Sequence, residues 1–149
     1  MTRILFVCHG NICRSTMAQS VLQYMVNNAG LSHRFEINSA ATSTEEIGNP
    51  PHYGTVEELR KHNIPVIPHR ARQLTKDDAL HYDYLIGMDS ANIRNMQRIV
   101  GNSEKICKLM SFADLDKDVA DPWYTGNFAR TYADVKLGCE KLLEKLNGK

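Results

Sequence analysis

Cys8 and Arg14, six positions apart, combine a soft nucleophile with an anion clamp. A cysteine thiolate attacks phosphorus, and a guanidinium can meet two phosphate oxygens with parallel N–H bonds. Between them run His9, Gly10, Asn11, Ile12 and Cys13, and Ser15 follows. The spacing alone is weak evidence, because four cysteines and nine arginines in this chain yield about 0.24 such pairs by chance. Its context carries the weight: an apolar run precedes the segment and an amphipathic pattern follows it. Backbone N–H groups of a tight loop ahead of a helix form a concave nest with the helix dipole behind it. Such a nest fits a phosphate dianion and favours the thiolate over the thiol. Asn11 tolerates left-handed backbone and can fix the loop by side-chain hydrogen bonds. Ser15 either donates to the thiolate or caps the helix. The competing reading, a buried structural Cys8 beside a surface Arg14, fits a lone cysteine better than this constellation.

Phosphoryl transfer to a thiolate also needs a proton for the departing oxygen. Asp121, followed by Pro122, Trp123 and Tyr124, can supply it. Pro122 disfavours helix at Asp121, and aromatic walls that desolvate a carboxyl favour its protonated form. The same carboxylate would return as general base to activate water against a phosphocysteine. The plainer reading is an aspartate that caps or turns the chain before the last helix. Beside the Cys8 loop, the catalytic reading is the stronger.

The elements that must position these groups follow from periodicity. Ile4 to Val7 reads as a strand buried on both faces. From Ser15, Met17, Ala18, Val21, Leu22, Met25 and Val26 recur at helical spacing, with Ala29 and Gly30 as the stop. Phe35 to Ser39 reads as a second strand, residues 40–53 as a polar loop, and Thr55 to His62 as a short helix. Tyr82 to Met88 is a third strand, with Asp89 or Ser90 capping a helix through Val100. Lys105 to Met110 is a fourth strand, and Phe128, Tyr132, Val135, Cys139, Leu142 and Leu146 mark one face of a final helix. Strands alternating with helices predict an α/β sandwich of parallel βαβ units, residues 1–149 forming one domain. Ligands in such folds sit beyond the carboxyl ends of strands, where the Cys8 loop falls.

Composition narrows the function classes. The chain has 149 residues, 42% hydrophobic and 23% charged, with a formal net charge of +1. No basic field points to nucleic acid, so any anion site is local. The short apolar run near the N-terminus is no signal peptide, and no stretch suits a membrane span, which predicts a cytoplasmic protein. Cys8, Cys13, Cys107 and Cys139 then read as thiols, Cys107 and Cys139 as core. Neither CxxC nor HExxH spacing occurs, so no metal or other cofactor is expected.

On these residues the chain resembles the low-molecular-weight protein tyrosine phosphatases. The matching segments are Val7 to Ser15, Ser39 and Ala40 with Thr42, His69 to Gln73, Tyr82 to Asp89, and Asp121 to Tyr124. The resemblance implies a four-stranded parallel sheet with helices on both faces, Cys8 as nucleophile, Arg14 as phosphate clamp and Asp121 as general acid. It implies that Asn11 and Ser39 shape the loop, that Ser15 stabilises the leaving thiolate, and that Cys13 is a redox partner of Cys8. The implied substrate is a phosphorylated protein or small aryl phosphate; the sequence does not reveal the oligomeric state, and a monomer is the expectation. Tyr124 and Tyr132 would be kinase targets. Four positions depart from the family's usual pattern: Thr16 for Pro, Gln19 for Glu, Ala41 for Gly, and Glu45 for an aromatic pocket wall. Ala41 would alter the turn behind Ser39 if that turn needs positive φ. Glu45 would not stack on an aryl ring and would repel acidic peptides, leaving Trp123 and Tyr124 as the opposite wall.

Three alternatives follow. A protein-arginine phosphatase shares the fold; Ile12, where those relatives carry Thr, speaks against it, and Glu45 for it. An arsenate reductase would add two further cysteines beyond the third strand, where residues 87–93 have none. A non-catalytic phosphate-binding module would need neither Cys8 nor Asp121.

Overall fold

The computed structural model describes residues 1–147. In β1 (Thr2–Cys8), Ile4, Phe6 and Cys8 face one side of the sheet and Leu5 and Val7 the other, all five buried. That two-sided burial is why the run is continuously apolar. β1 pairs in parallel with β2 (Phe35–Ala41) and with β3 (Tyr84–Gly87), and β3 pairs in parallel with β4 (Ile106–Lys108). The four-stranded order is β2-β1-β3-β4. Helices α1 (Arg14–Asn28), α2 (Tyr53–Lys61) and α6 (Phe128–Asn147) bury Met17, Val21, Leu22, Leu59, Val135 and Leu142 against the Ile4–Phe6 face. α3 (Lys76–His81) and α4 (Ser90–Val100) close the Leu5–Val7 face with Leu74, Tyr82 and Met96. The expected sandwich with helices on both faces is therefore observed.

Several boundaries differ from the sequence reading. β2 runs two residues further, through Ala41, whose N–H donates to Arg72 O at 2.7 Å and whose carbonyl accepts from Leu74 N at 2.7 Å. Ala41 is thus extended strand, and no positive-φ turn exists there for it to disturb. The third strand starts at Tyr84 because Tyr82 ends α3, a helix that the periodicity did not reveal. α3 has only six residues, too few for a pattern, and starts where the Asp78 carboxylate accepts the Thr75 N–H at 2.8 Å. β4 stops at Lys108, and residues Leu109–Ala113 turn into a 3-10 helix. Gly87 lets α4 approach closely: a Cβ there would lie 2.9 Å from Ile93 Cδ1 and 3.0 Å from Met96 Sδ.

The register aligns Cys8 with Ala41 and Val7 with Gly87. The segments leaving β1, β2 and β3 therefore emerge side by side at the carboxyl edge of the sheet. Among the described residues, no helix is long and apolar enough to cross a membrane.

Candidate active site

Residues 9–13 turn the chain from β1 into α1, and Asn11 sits at the bend with φ 58°. It is fully buried, and both ends of its side-chain amide are hydrogen-bonded. Nδ2 donates to Ser15 Oγ at 2.8 Å, while Oδ1 accepts from His69 Nε2 at 2.7 Å and from Arg72 N at 3.3 Å. Because Ser15 Oγ accepts from Asn11, its own O–H is free for the Cys8 sulfur 3.1 Å away. Ser15 is therefore a partner of Cys8 rather than a helix cap. The backbone N–H groups of Gly10, Asn11, Ile12, Cys13 and Arg14 donate to no other described residue. They remain available to an anion seated over Cys8.

A second set of contacts holds this loop from behind. Ser39 Oγ donates to Gln19 Oε1 at 2.6 Å and lies 3.3 Å from His69 Nε2. Burial, and then the nearby Arg72 charge, lower the His69 pKa, and the Asn11 Oδ1 acceptor opposite Nε2 puts a proton on that nitrogen. Thr16 Oγ1 reaches back to Ile12 O at 3.0 Å and Cys13 O at 3.1 Å, closing the first turn of α1. Arg72 is itself clamped by Asp78 through contacts of 2.9 and 3.0 Å. Burial pushes the Asp78 carboxyl up, but these bonds, the Thr75 N–H and the Arg72 charge outweigh it and hold its pKa below the usual carboxylate value.

Arg14 is 3% exposed. Its Nη1 donates to Asp89 Oδ2 at 2.8 Å and to Val119 O at 3.1 Å, and Nη2 lies 3.4 Å from Asp121 Oδ2. Burial opposes the charge, yet Cys8, Asp121 and Asp89 outweigh it, so the Arg14 pKa is raised and the guanidinium stays charged. Asp89 also caps α4 through Asn92 N at 2.7 Å. The sequence suggested only the capping role; a carboxylate at the end of β3, on the ligand edge of the sheet, was the available signal for the second one.

Asp121 precedes the single-turn helix α5 (Pro122–Thr125) and caps it, Oδ1 accepting from Trp123 N at 3.0 Å. Capping and facing Arg14 coexist, because they use different carboxylate oxygens. Together these groups line a cleft of about 330 Å³ that also includes His9, Glu45, Glu46, Trp123 and Tyr124. Glu45 pairs with His9 at 3.1 Å on the rim. Trp123 and Tyr124 are 62% and 85% exposed. Of the site residues proposed from the sequence, Asn11, Ser15 and Ser39 lie behind this cleft and the others line it. Residues the sequence reading left without a role here are Asp89, His69, Arg72, Glu46 and the Val119 carbonyl.

Cys13 is buried beside the loop, and burial, followed by the charges at Cys8 and Asp121, pushes its pKa up to about 12. Cys139 is fully buried and Cys107 partly, the latter raised by burial to about 11. Tyr132 is 9% exposed and its ring stacks on His62 with centroids 3.8 Å apart, whereas Tyr124 is 85% exposed. Only Tyr124 of the two tyrosines is open.

A sequence profile of the low molecular weight phosphotyrosine protein phosphatases matches residues 3–149, and the chain belongs to that family. It is 41% identical over 150 residues to the low molecular weight protein-tyrosine-phosphatase YfkJ of Bacillus subtilis, covering 98% of this chain and 96% of the relative. The crystal structure of YfkJ superimposes with a TM-score of 0.95, covering 99% of this chain and 96% of that one. The human low molecular weight phosphotyrosine protein phosphatase is 39% identical over 150 residues, covering 95% of this chain and 94% of the relative. A Drosophila arginine phosphatase also superimposes, at 25% identity with a TM-score of 0.87, covering 98% of each chain.

Proposed function

We propose that this protein hydrolyses phosphate monoesters, protein phosphotyrosine above all, through a phosphocysteine on Cys8. The observation that carries the reading is the Cys8 sulfur 3.1 Å from a Ser15 hydroxyl free to donate, beneath a loop of unpaired N–H groups. The phosphate dianion binds those N–H groups and Arg14, whose fork is held in place by Asp89 and Val119. The Cys8 thiolate attacks phosphorus, forming S–P as the ester P–O bond breaks, and protonated Asp121 delivers its proton to the departing oxygen. Ionised Asp121 then takes a proton from water. The water oxygen attacks phosphorus, the S–P bond breaks, and Ser15 stabilises the returning thiolate. Inorganic phosphate leaves.

Hydrolysis of para-nitrophenyl phosphate in EDTA and a thiol reductant tests this scheme. Wild type turns over without added metal, Cys8→Ser is inactive, and Asp121→Asn is slowed chiefly with poor leaving groups. A wild type that binds vanadate but releases no nitrophenol would overturn the enzyme reading in favour of a phosphate-binding module.

Glu45 supports a second reading, because a carboxylate on the rim can pair with a guanidinium, and a Drosophila arginine phosphatase shares the fold. Competing turnover of phosphotyrosine and phosphoarginine peptides separates the two; equal or faster phosphoarginine turnover reverses our preference. We place the protein as a monomer in a reducing cytoplasm, where its four free cysteines stay thiols. Cys13 is proposed to close a disulfide with Cys8 under peroxide, two thiols losing two electrons as peroxide is reduced to water.

A further inference from the structure

His52 touches both halves of the active site, and sequence gave it no role. It precedes α2, and its backbone N–H donates to Ile12 O, in the phosphate loop, at 2.7 Å. Its Nδ1 accepts the Gly54 N–H at 3.0 Å, capping α2 and fixing the ring plane. That acceptor role assigns the proton of the neutral ring to Nε2.

With its plane fixed, the imidazole faces the chain segment that carries Asp121. One face stacks on Phe128, centroids 5.3 Å apart and planes 17° apart, and its edge meets Trp123 at 6.0 Å and 80°. Trp123 and Phe128 lie on either side of Gly126, which reverses the chain with φ 68° between α5 and α6. His52 therefore contacts both limbs of the turn. Gly54 makes room for this arrangement, since a Cβ there would collide with the Phe128 ring. Phe128 packs in turn against the cluster of Ile12, Cys13 and Ala71. The Asp121 carboxylate is tied to the same turn through Trp123 N at 3.0 Å.

We propose that His52 is a positioning residue that sets the Asp121 carboxyl over the phosphate loop, by registering the Trp123–Phe128 turn against Ile12. This rests on the phosphatase reading, in which Asp121 protonates the leaving group. The ring contacts perform the positioning; the cap at Nδ1 serves stability.

Two substitutions separate those roles. His52→Asn keeps a capping acceptor and loses the ring, whereas His52→Phe keeps a ring and loses the cap. Trp123 is the chain's single tryptophan, so fluorescence excited beyond the absorption of the six tyrosines reports this turn. In His52→Asn, kcat on phenyl phosphate falls about 5–10-fold against less than about 2-fold on para-nitrophenyl phosphate, whose better leaving group needs less proton transfer. Vanadate affinity holds within about 2-fold, and acrylamide quenching of Trp123 rises. His52→Phe restores the wild-type ratio of the two esters and the quenching, while melting at a lower temperature.

Equal losses on both esters in His52→Asn, or a His52→Phe variant with the same ester ratio as His52→Asn, would overturn the proposal. So would unchanged Trp123 quenching in His52→Asn. A wild type inactive on both esters would sink the phosphatase reading itself, and this role for His52 with it. A wild type active on both, with a ratio indifferent to position 52, sinks the positioning role alone.

Discussion

The phosphate loop and the segment bearing Asp121 face each other across one cleft and are built in opposite ways. In the loop, Asn11, Arg14 and Ser15 are almost wholly buried; Asn11 is tied to Ser15 and to His69, and Arg14 to Asp89. Across the cleft, Asp121 is held by one capping bond and a 3.4 Å contact, followed by the open rings of Trp123 and Tyr124. The difference follows the chemistry. An anion cradle works by donors fixed before the substrate arrives, since reorienting dipoles during the reaction adds to the barrier. A proton donor must meet leaving groups of different shape, so a lighter tether suits it.

The contrast can be broken most strongly from its exposed side. Asp121→Asn should lower kcat for phenyl phosphate by about 10²–10³-fold while leaving the urea midpoint within experimental error, because the amide still caps α5. A matching fall in the urea midpoint would mean that the segment carries structural load after all. Asn11→Ala should do the reverse and damage both properties. It strands the partners of a buried amide and places alanine at positive φ, for a loss of about 2–4 kcal/mol in urea unfolding together with reduced vanadate binding.

Asp78 sharpens the comparison at one remove, since it holds Arg72 beneath Asn11. Its carboxyl pKa is depressed in the fold. The stability it contributes is therefore present above the unfolded value of about 4 and is lost as pH falls through the lower folded value. Asp78→Asn should cost about 1–2 kcal/mol at neutral pH, and that deficit should shrink in urea melts below about pH 4. The smallest effect belongs to the rim. Glu45→Gln should shift the relative kcat/KM of basic over acidic phosphotyrosine peptides about 2–5-fold toward the acidic ones, and the shift should fade at high salt, as exposed charge effects do.

The sequence resolved the parts of this molecule that are local. Cys8 to Ser15 is one uninterrupted turn from a strand into a helix, so its types and spacing carry their own geometry. The apolar runs of β1 and the face of α6 were equally readable, because burial on both sides or on one stripe leaves a period. The back-support of the loop was not readable. His69 and Arg72 meet Asn11 from 58 and 61 positions away, and Asp89 meets Arg14 from 75. Such contacts exist only because the register places the ends of β1, β2 and β3 together. α3 escaped for a different reason: six residues between two long-range anchors have no room for a period. Ala41 and Glu45 show both sides of reading departures from a pattern. The strand absorbed the first, while the second stands on the cleft rim beside His9.

The placement of β1 at the centre of the sheet has a consequence for synthesis. Cys8 leaves the ribosome long before Arg72, Asp89 and Val119, on which the loop around it depends. β1 can pair with β2 once Ala41 is out, but its other neighbour, β3, begins at Tyr84. The chain therefore carries Cys8 without the fork of Arg14 locked behind it until Asp89 and Val119 have been made. Competence to bind an oxyanion thus waits on the pairing of β1 with β3, not on its earlier pairing with β2.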